Sequence, residues 1–471
     1  MAYEKTVVGY PDGYIEYNGF LLELPDPSAP GPMTLRYRFN PSVVDQPAND
    51  GEGMTNNYWE WIPVRPAEGI WDLHLKTGNW TLVMGASHVE SFMRERFPDG
   101  GWEYEIFDCG DTSGASHLDL AFESCSGLYS FTAPLDISGC GGNIECMFRD
   151  CGNLRTVGVF DTSTATTAFS LFEGCVSLEA APALDLSSCT DFRWMFGYDS
   201  NLVSVPLYDL SSATTVAAMF YDCRSLASVP LFNTANVRVF DSMLEGCSAL
   251  TAIPTTGTGT LYSFDTSSAT SVREMFAGCS SLVSAEGFSI GTATDIYGLF
   301  SGCSSLASAP MINMANVTNA SFVFAGCTSL ATTQMNFYCD SATTLLGFFS
   351  GCRSLTPLQE GYPKFHNTGR VTSTDSMFKN CERITASPEL DTTANVTDMD
   401  YMYQGCTALR TVPVLDISRL LDMDYMFDGC SAVTSGAGAF YTAASTKSPV
   451  PDHTHAFRDC GDSSSIPSDW K

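Results

Sequence analysis

The sequence predicts a repeat solenoid of short parallel β-strands, loops and short helical or 3₁₀ turns, preceded by a small β-rich N-terminal domain. Three observations predict this fold class. A cysteine recurs along most of the chain at a commonest step of 24 residues, a large apolar and an aromatic residue precede it, and a leucine follows it three residues later. One unit repeated at a period of roughly 20–30 residues is typical of stacked coils.

The recurring cysteines form what we call the cysteine column. Its members are Cys125, Cys151, Cys175, Cys223, Cys247, Cys279, Cys303, Cys327, Cys352, Cys381, Cys406, Cys430 and Cys460, with Asp199 in the missing position between Cys175 and Cys223. Cysteine is a small hydrophobe with a weak S–H donor, which suits a tight buried corner. Cysteines one strand spacing apart are too distant for regular disulfides, so we expect structural thiols. We assign that role to Cys223, Cys247, Cys279, Cys303 and Cys327.

A single repeat predicts its own local structure. In residues 223–244 the piece "SLASVPLF" has no helical period and contains a proline, which indicates a short strand that ends early. The piece "NTAN" indicates a turn, and "VRVFDSML" could form about one helical or 3₁₀ turn. Each repeat would therefore contribute one short strand to a parallel sheet.

The chain divides into four predicted parts. Residues 1–75 do not repeat and contain alternating runs such as "MTLRYRFN", which predict a β-rich domain for attachment or capping. Residues 76–120 are an N-terminal cap with a first irregular repeat, residues 121–435 are the solenoid, and residues 436–471 are a C-terminal cap. Five of the seven tryptophans precede the array, which favours an attachment surface in the first part.

Composition bounds the class of partner. Asp and Glu number 53 against 23 Lys and Arg, which gives a formal net charge of −30. That sign repels phosphate backbones and anionic lipids, so we expect no nucleic acid and no membrane insertion. The N-terminus lacks the basic start and apolar run of a secretory signal. We therefore expect synthesis in a cytoplasm, with the cysteines initially reduced.

Carboxylates accumulate at equivalent places in the last repeats. The residues are Asp398, Asp400, Asp422 and Asp424. Stacked like charges repel, and a bound Ca²⁺ would relieve that repulsion because it prefers carboxylate oxygen. Calcium is therefore the one cofactor that we consider, and a solvated acidic stripe is the alternative.

Two longer repeats supply candidate binding loops. The insertions "TAIPTTGTGTLYSF" and "TPLQEGYPKFH" expand the same edge of the repeat, which is how repeat arrays build binding loops on a rigid frame. The candidate binding residues are Tyr262, Tyr362, Lys364, Phe365 and His366. Loop drift without function is the alternative.

The repeated phrase Met-Phe-x-Gly-Cys-x-Ser-Leu, with Leu-Asp-Thr-Ser before it, resembles the BspA-like leucine-rich repeats. The resemblance is to the Met-Phe-rich variant found in bacterial surface proteins and some bacteriophage proteins, and it covers about residues 105–460. It implies a leucine-rich-repeat-like solenoid with a parallel sheet on one side, used for adhesion or recognition. It brings no catalytic motif.

These observations predict a non-enzymatic binding or structural protein. We expect a phage virion protein (a tail fibre, receptor-binding or capsid-decoration protein) that adheres to a host surface. Its partners would be a host cell-surface protein or glycan, and the larger virion assembly through the N-terminal domain. The alternative is a bacterial cell-surface adhesin that binds a host protein or glycan. An enzyme would instead need paired carboxylates or a Ser/His pair outside the repeat positions.

Overall fold

A computed structural model describes the repeats and part of the N-terminal region. The described residues are 104–109, 112, 118–254, 264–334, 336–356 and 363–471, with the backbone of five strands before residue 76. The chain forms two compact units, Met1–Cys189 and Thr190–Lys471.

In Met1–Cys189 one sheet joins N-terminal strands to the first repeats. The strands are β1 (Tyr14–Tyr17), β2 (Phe20–Glu23), β3 (Thr34–Phe39), β4 (Trp59–Arg65), β5 (Ile70–Leu75), β6 (Tyr104–Asp108), β7 (Leu128–Phe131) and β8 (Thr156–Val157). β1 pairs with β2, and the sheet has the order β4-β5-β3-β6-β7-β8. Pairing is antiparallel from β4 to β6 and parallel from β6 to β8. The strand predicted at "MTLRYRFN" is confirmed as β3, and the domain boundaries stay a prediction.

In Thr190–Lys471 successive repeats pair in parallel, mostly through single bridges. One series, the bridge column, joins Asp191, Thr215, Val239, Ser271, Asp295, Asn319, Thr344, Ser373, Asp398, Asp422 and Asp452. Longer pairing occurs in a parallel sheet of β9 (Asn336–Tyr338), β10 (Lys364–His366) and β11 (Glu389–Leu390), in the order β11-β10-β9. A parallel neighbour needs a crossover of a dozen or more residues, which each repeat supplies. The predicted short parallel strands are confirmed, and most are reduced to one bridge.

The helical turn predicted within residues 237–244 is wrong. The N–H groups of Ser242 and Leu244 donate to carbonyls of the next repeat, while Met243 donates three residues back along its own chain. Ser242 is left-handed, with φ 55°, and Gly246 follows with φ 77°. A left-handed residue interrupts a right-handed helix, so the segment forms consecutive turns. Among the described residues, helical structure comprises α1 (Ala437–Ser445) and 3₁₀ segments at Ser138–Cys140, Thr368–Arg370 and Ser468–Trp470.

The core of Thr190–Lys471 contains a stack of aromatic rings. Phe276, Phe300 and Phe324 are fully buried and follow one another with ring centroids 5.4 and 5.7 Å apart. Their planes lie within 5° of parallel. Each ring comes from an equivalent position of a successive repeat, so the repeat period itself places the rings in register.

The cysteine column lies beside this stack, and its predicted burial is confirmed. All eighteen cysteines are described, all are free thiols, and all but the partly exposed Cys140 are buried. The structure adds a role: in eleven repeats the S–H donates to a backbone carbonyl of the preceding repeat at 3.0–3.1 Å. The Phe300 carbonyl, for example, accepts from Cys303 N and from Cys327 Sγ. Each thiol thus satisfies the second lone pair of a buried carbonyl.

Candidate binding surface on the β9–β11 sheet

The sheet of β9, β10 and β11 places one row of side chains in the core and the flanking ones outside. Phe337 and Phe365, at the strand centres, are fully buried with ring centroids 5.0 Å apart. Side chains alternate along a strand, so the residues on either side of them face outward. We call these outward residues the sheet face: Asn336, Tyr338, Lys364, His366, Glu389 and Asp391.

His366 ties the sheet face together across three repeats. Its Nε2 lies 3.0 Å from Asn336 Oδ1, and its Nδ1 lies 3.3 Å from Asp391 Oδ1. The imidazole also stacks on Tyr338, with ring centroids 5.1 Å apart and planes 22° from parallel. Contacts on both ring nitrogens and one ring face fix the orientation of His366. A fixed orientation lowers the entropy lost when a partner binds.

The sheet face also carries an exposed ion pair. Lys364 Nζ lies 2.7 Å from Glu389 Oε2, and the two side chains are 45% and 70% exposed. An ion pair this exposed contributes only about 0–1 kcal/mol to stability. Both charges can therefore exchange their mutual contact for contacts with a partner at little loss of fold stability.

A comparison with protein families identifies the repeats. One family profile, described as "Mycoplasma protein of unknown function, DUF285", matches residues 142–256, 200–312, 233–337, 294–413 and 372–463. The matches overlap and together run from residue 142 to residue 463, more than half of the 471 residues. The chain belongs to the DUF285 family. Overlapping matches are what a profile of a repeated unit gives on a repeat array.

Solved structures similar to this DUF285 protein are remote. A leucine-rich repeat protein from Eubacterium ventriosum is 18% identical over 71% of this chain and 86% of its own, with a TM-score of 0.34. A crystal structure of a TLR13–ssRNA13 complex is 13% identical over 64% of this chain and 58% of that one, with a TM-score of 0.16. No curated protein matches the chain.

The five predicted binding residues of this DUF285 protein have different outcomes in the structure. Tyr262 and Tyr362 lie outside the described residues. Lys364 and His366 lie on the sheet face, as a binding role requires. The assignment of Phe365 is wrong, because strand alternation turns it into the core, where it is fully buried.

Sequence reasoning missed the parts of the sheet face that come from neighbouring repeats. Tyr338 and Asn336 belong to the preceding repeat, and Asp391 belongs to the following one. One signal was present: Tyr338 stands where most repeats have Asp or Asn. Tyr338 is 52% exposed, so that substitution places an aromatic ring on the surface.

The four predicted calcium ligands form an acidic cluster, by which we mean Asp398, Asp400, Asp422 and Asp424. Backbone N–H groups already donate to some of these carboxylate oxygens. Asp424 N–H donates to Asp400 Oδ1 at 2.6 Å, and Asp400 N–H donates to Asp398 Oδ1 at 3.1 Å. Burial raises the pKa of Asp400 to about 8, helped by a hydrogen bond and the charge of Asp422. The raised pKa favours a proton shared by the Asp400–Asp422 pair, which relieves the repulsion.

The part of the chain that the structure describes holds no group of three or more His, Cys, Asp or Glu side chains placed to bind a metal ion. Calcium at the acidic cluster stays a prediction. Within the same residues, no helix has the length and apolar character to cross a bilayer.

Proposed function

We propose that this protein is a non-enzymatic recognition protein whose sheet face binds a protein or glycan on a host surface. The observation that carries the proposal is the arrangement around His366. Its side chain contacts three others, Asn336 and Tyr338 from the preceding repeat and Asp391 from the following one, and water reaches the group. We infer that the BspA-like repeats form a leucine-rich-repeat solenoid that keeps this face rigid. Binding on rigid scaffolds with projecting side chains is the common use of repeat arrays.

Exposure favours binding over catalysis at this face. The side chains of Lys364, His366 and Asp391 are 45%, 28% and 47% exposed, so water reaches the charged groups. Enzymes gain most of their electrostatic stabilisation in sites that exclude water. A wet face of mixed charge with a Tyr–His stack suits reversible recognition, because tyrosine gives contact area at low entropic loss.

We propose display on a phage virion as the location, with the N-terminal domain as the attachment part. The eighteen free thiols support assembly in a reducing cytoplasm, since disulfides form mainly in oxidising compartments. Mass spectrometry of purified particles tests the location. Peptides of this chain at a constant ratio to capsid protein are expected. Their absence from particles, with presence on a bacterial surface, would replace the virion by a cell-surface adhesin.

Substitution tests the sheet face itself. Tyr338→Ala combined with Lys364→Glu should reduce binding of the purified full chain to host cells at least about tenfold, since hot-spot truncations often exceed 1–2 kcal/mol. The matched control is Met311→Ala, because Met311 holds the position of Asn336 one repeat earlier and is 78% exposed. Equal binding by the double variant, the control and the native chain would refute the role of the sheet face.

A further inference from the structure

One repeat departs from the pattern at two consecutive positions and places aromatic rings on the surface. Where most other repeats read Met-Phe-x-Gly-Cys or a close variant, this repeat reads Met-Phe-Gly-Tyr-Asp, residues 195–199. Tyr198 replaces the glycine and is 45% exposed. Trp194 and Tyr221 of the next repeat complete a cluster of three rings. Ring centroids are 5.7 Å apart for Trp194–Tyr198, 5.1 Å for Trp194–Tyr221 and 5.2 Å for Tyr198–Tyr221.

The backbone makes this departure costly for the fold. Tyr198 has φ 67°, in the left-handed region that its repeat equivalents Gly246, Gly278 and Gly302 adopt freely. Other non-glycine residues at the equivalent position, among those described, are the short polar Ser124, Asp150, Asp222, Asn380 and Asp459. Short polar residues tolerate this region, whereas a bulky one is an outlier. An aromatic residue in this strained backbone conformation indicates a functional role for its ring.

Gly197 is part of the same construction. A Cβ at this residue would lie 2.7 Å from Trp194 Cε3, closer than real contacts allow. The glycine therefore lets the indole lie against the chain between Trp194 and Tyr198. Gly197 and Tyr198 act together: the glycine makes room for the indole of Trp194, and the Tyr198 ring stacks on that indole.

We propose that Trp194, Tyr198 and Tyr221 form a binding site for an organic ammonium cation. Aromatic faces attract such cations through the ring quadrupole, and tryptophan does so best. Cation–π contacts of this kind occur elsewhere in Thr190–Lys471, where a Lys or Arg side chain of a neighbouring repeat lies over a tyrosine ring. The pairs are Arg273 over Tyr297 at 4.7 Å, Lys379 over Tyr401 at 4.3 Å and Arg458 over Tyr425 at 5.4 Å.

The charges around the cluster favour a cation over a neutral ligand. Tyr221 lies near the carboxylates of Glu245, Asp222 and Glu274, whose charges raise its pKa after burial, the first cause. Glu245 also has a raised pKa, from burial first and then from Glu274 and Asp222. The guanidinium of Arg224 donates to both carboxylate oxygens of Asp222, at 2.8 and 2.7 Å. The positive charge of Arg224 is therefore balanced within this pair. An incoming cation would reduce the repulsion among these carboxylates.

Ligand-observed NMR titration of the full chain tests the proposal with choline and its uncharged isostere 3,3-dimethylbutan-1-ol. We expect choline to bind with a dissociation constant on the order of millimolar, at least about tenfold more tightly than the alcohol. A lysine derivative, N-acetyl-lysine methylamide, distinguishes a free quaternary ammonium ligand from the side chain of a partner protein. Tighter binding of either cation than of the alcohol supports the proposal. The cation that binds more tightly shows whether the ligand is a free quaternary ammonium compound or a lysine side chain of a partner protein.

Tyr198→Gly is the decisive variant, because it restores the residue that other repeats carry. It should weaken choline binding about tenfold or more while the melting temperature stays equal or rises. Tyr401→Ala is the matched control, since the Tyr401 ring already carries Lys379, and it should leave choline binding unchanged.

Three outcomes would overturn the proposal: equal binding of choline and the alcohol, tighter binding of a methyl glycoside than of choline, or unchanged choline binding by Tyr198→Gly. The cluster shares no residue with the sheet face. Its failure therefore leaves the proposed recognition function standing, and the reverse also holds.

Discussion

The cysteine column and the acidic cluster both stack like side chains one repeat apart, with opposite consequences. Thiols such as Cys303 and Cys327 are neutral, fully buried, and donate to the carbonyl of the preceding repeat. Carboxylates such as Asp400 and Asp422 repel, and the cluster responds by holding a proton. In a repeat array each side chain has an equivalent neighbour one repeat away. A column of neutral hydrogen-bond donors therefore stabilises the fold, whereas a column of like charges destabilises it by repulsion.

Moving a carboxylate into the cysteine column should produce the largest effect. Cys303→Asp leaves a charge at a site with no exposure, and we expect the free energy of unfolding to fall by about 3–5 kcal/mol at pH 7. Burial raises the pKa of the new carboxyl above its unfolded value, so the loss should shrink as the pH falls towards 4. Urea unfolding at both pH values measures it. Cys303→Ala is the control, at about 1 kcal/mol, and an equal loss in both variants would contradict the comparison.

Removing a charge from the acidic cluster should have a smaller effect of opposite sign. The folded pKa of Asp400 lies above the unfolded value, so its penalty is absent below about pH 4 and grows as the pH rises towards 8. Asp400→Asn should therefore gain up to about 1 kcal/mol at pH 8–9 and little at pH 4, after allowance for solvent screening.

Asp416→Asn is the control for that measurement. Asp416 is exposed, and it accepts a hydrogen bond from Ser418 N–H at 2.9 Å. Its pKa is lowered by hydrogen bonds from Ser418, so its charge stabilises the turn. We expect no gain from this variant at any pH. A gain at pH 9 in both variants would mean that general net charge, rather than the stacked pair, sets the effect.

The smallest effect concerns the one thiol outside the dry interior. Cys140 is only half buried, and its S–H donates to Ile137 and Asn143 carbonyls at 3.1 and 3.3 Å. Cys140→Ser should change stability by less than about 0.5 kcal/mol and remove the first thiol labelled in the native state. Mass spectrometry after brief maleimide treatment reads this out. Prompt labelling of several thiols in the native chain would show that the column is not closed to solvent.

Much of the fold could be predicted because the core residues recur in the sequence at a fixed period. Phe300, Cys303 and Leu306 recur in register with their neighbours, so burial of one implies burial of the others. The helical turn within residues 237–244 could not be predicted correctly. Its outcome depends on left-handed residues such as Ser242, and serine carries no strong signal for that conformation.

The candidate surfaces were less predictable, since each is assembled from several repeats. Lys364 and His366 were found through the insertion before them, but their contacts with Glu389 and Asn336 lie 25 or more residues away along the chain. Phe365 was assigned to a binding loop, whereas it lies at the centre of β10, where strand alternation turns it into the core. Trp194, Tyr198 and Tyr221 likewise come from two repeats.

By itself the sequence determined the repeat period, the buried apolar positions and the free state of the thiols, since these depend on periodicity and side-chain size alone. The tertiary structure decided which carbonyl each thiol meets, that Asp400 shares its surroundings with Asp422, and which rings and charges share a surface. Those features arise from pairing between repeats. Pairing is set by backbone hydrogen bonds in three dimensions, and no local stretch of residues encodes it.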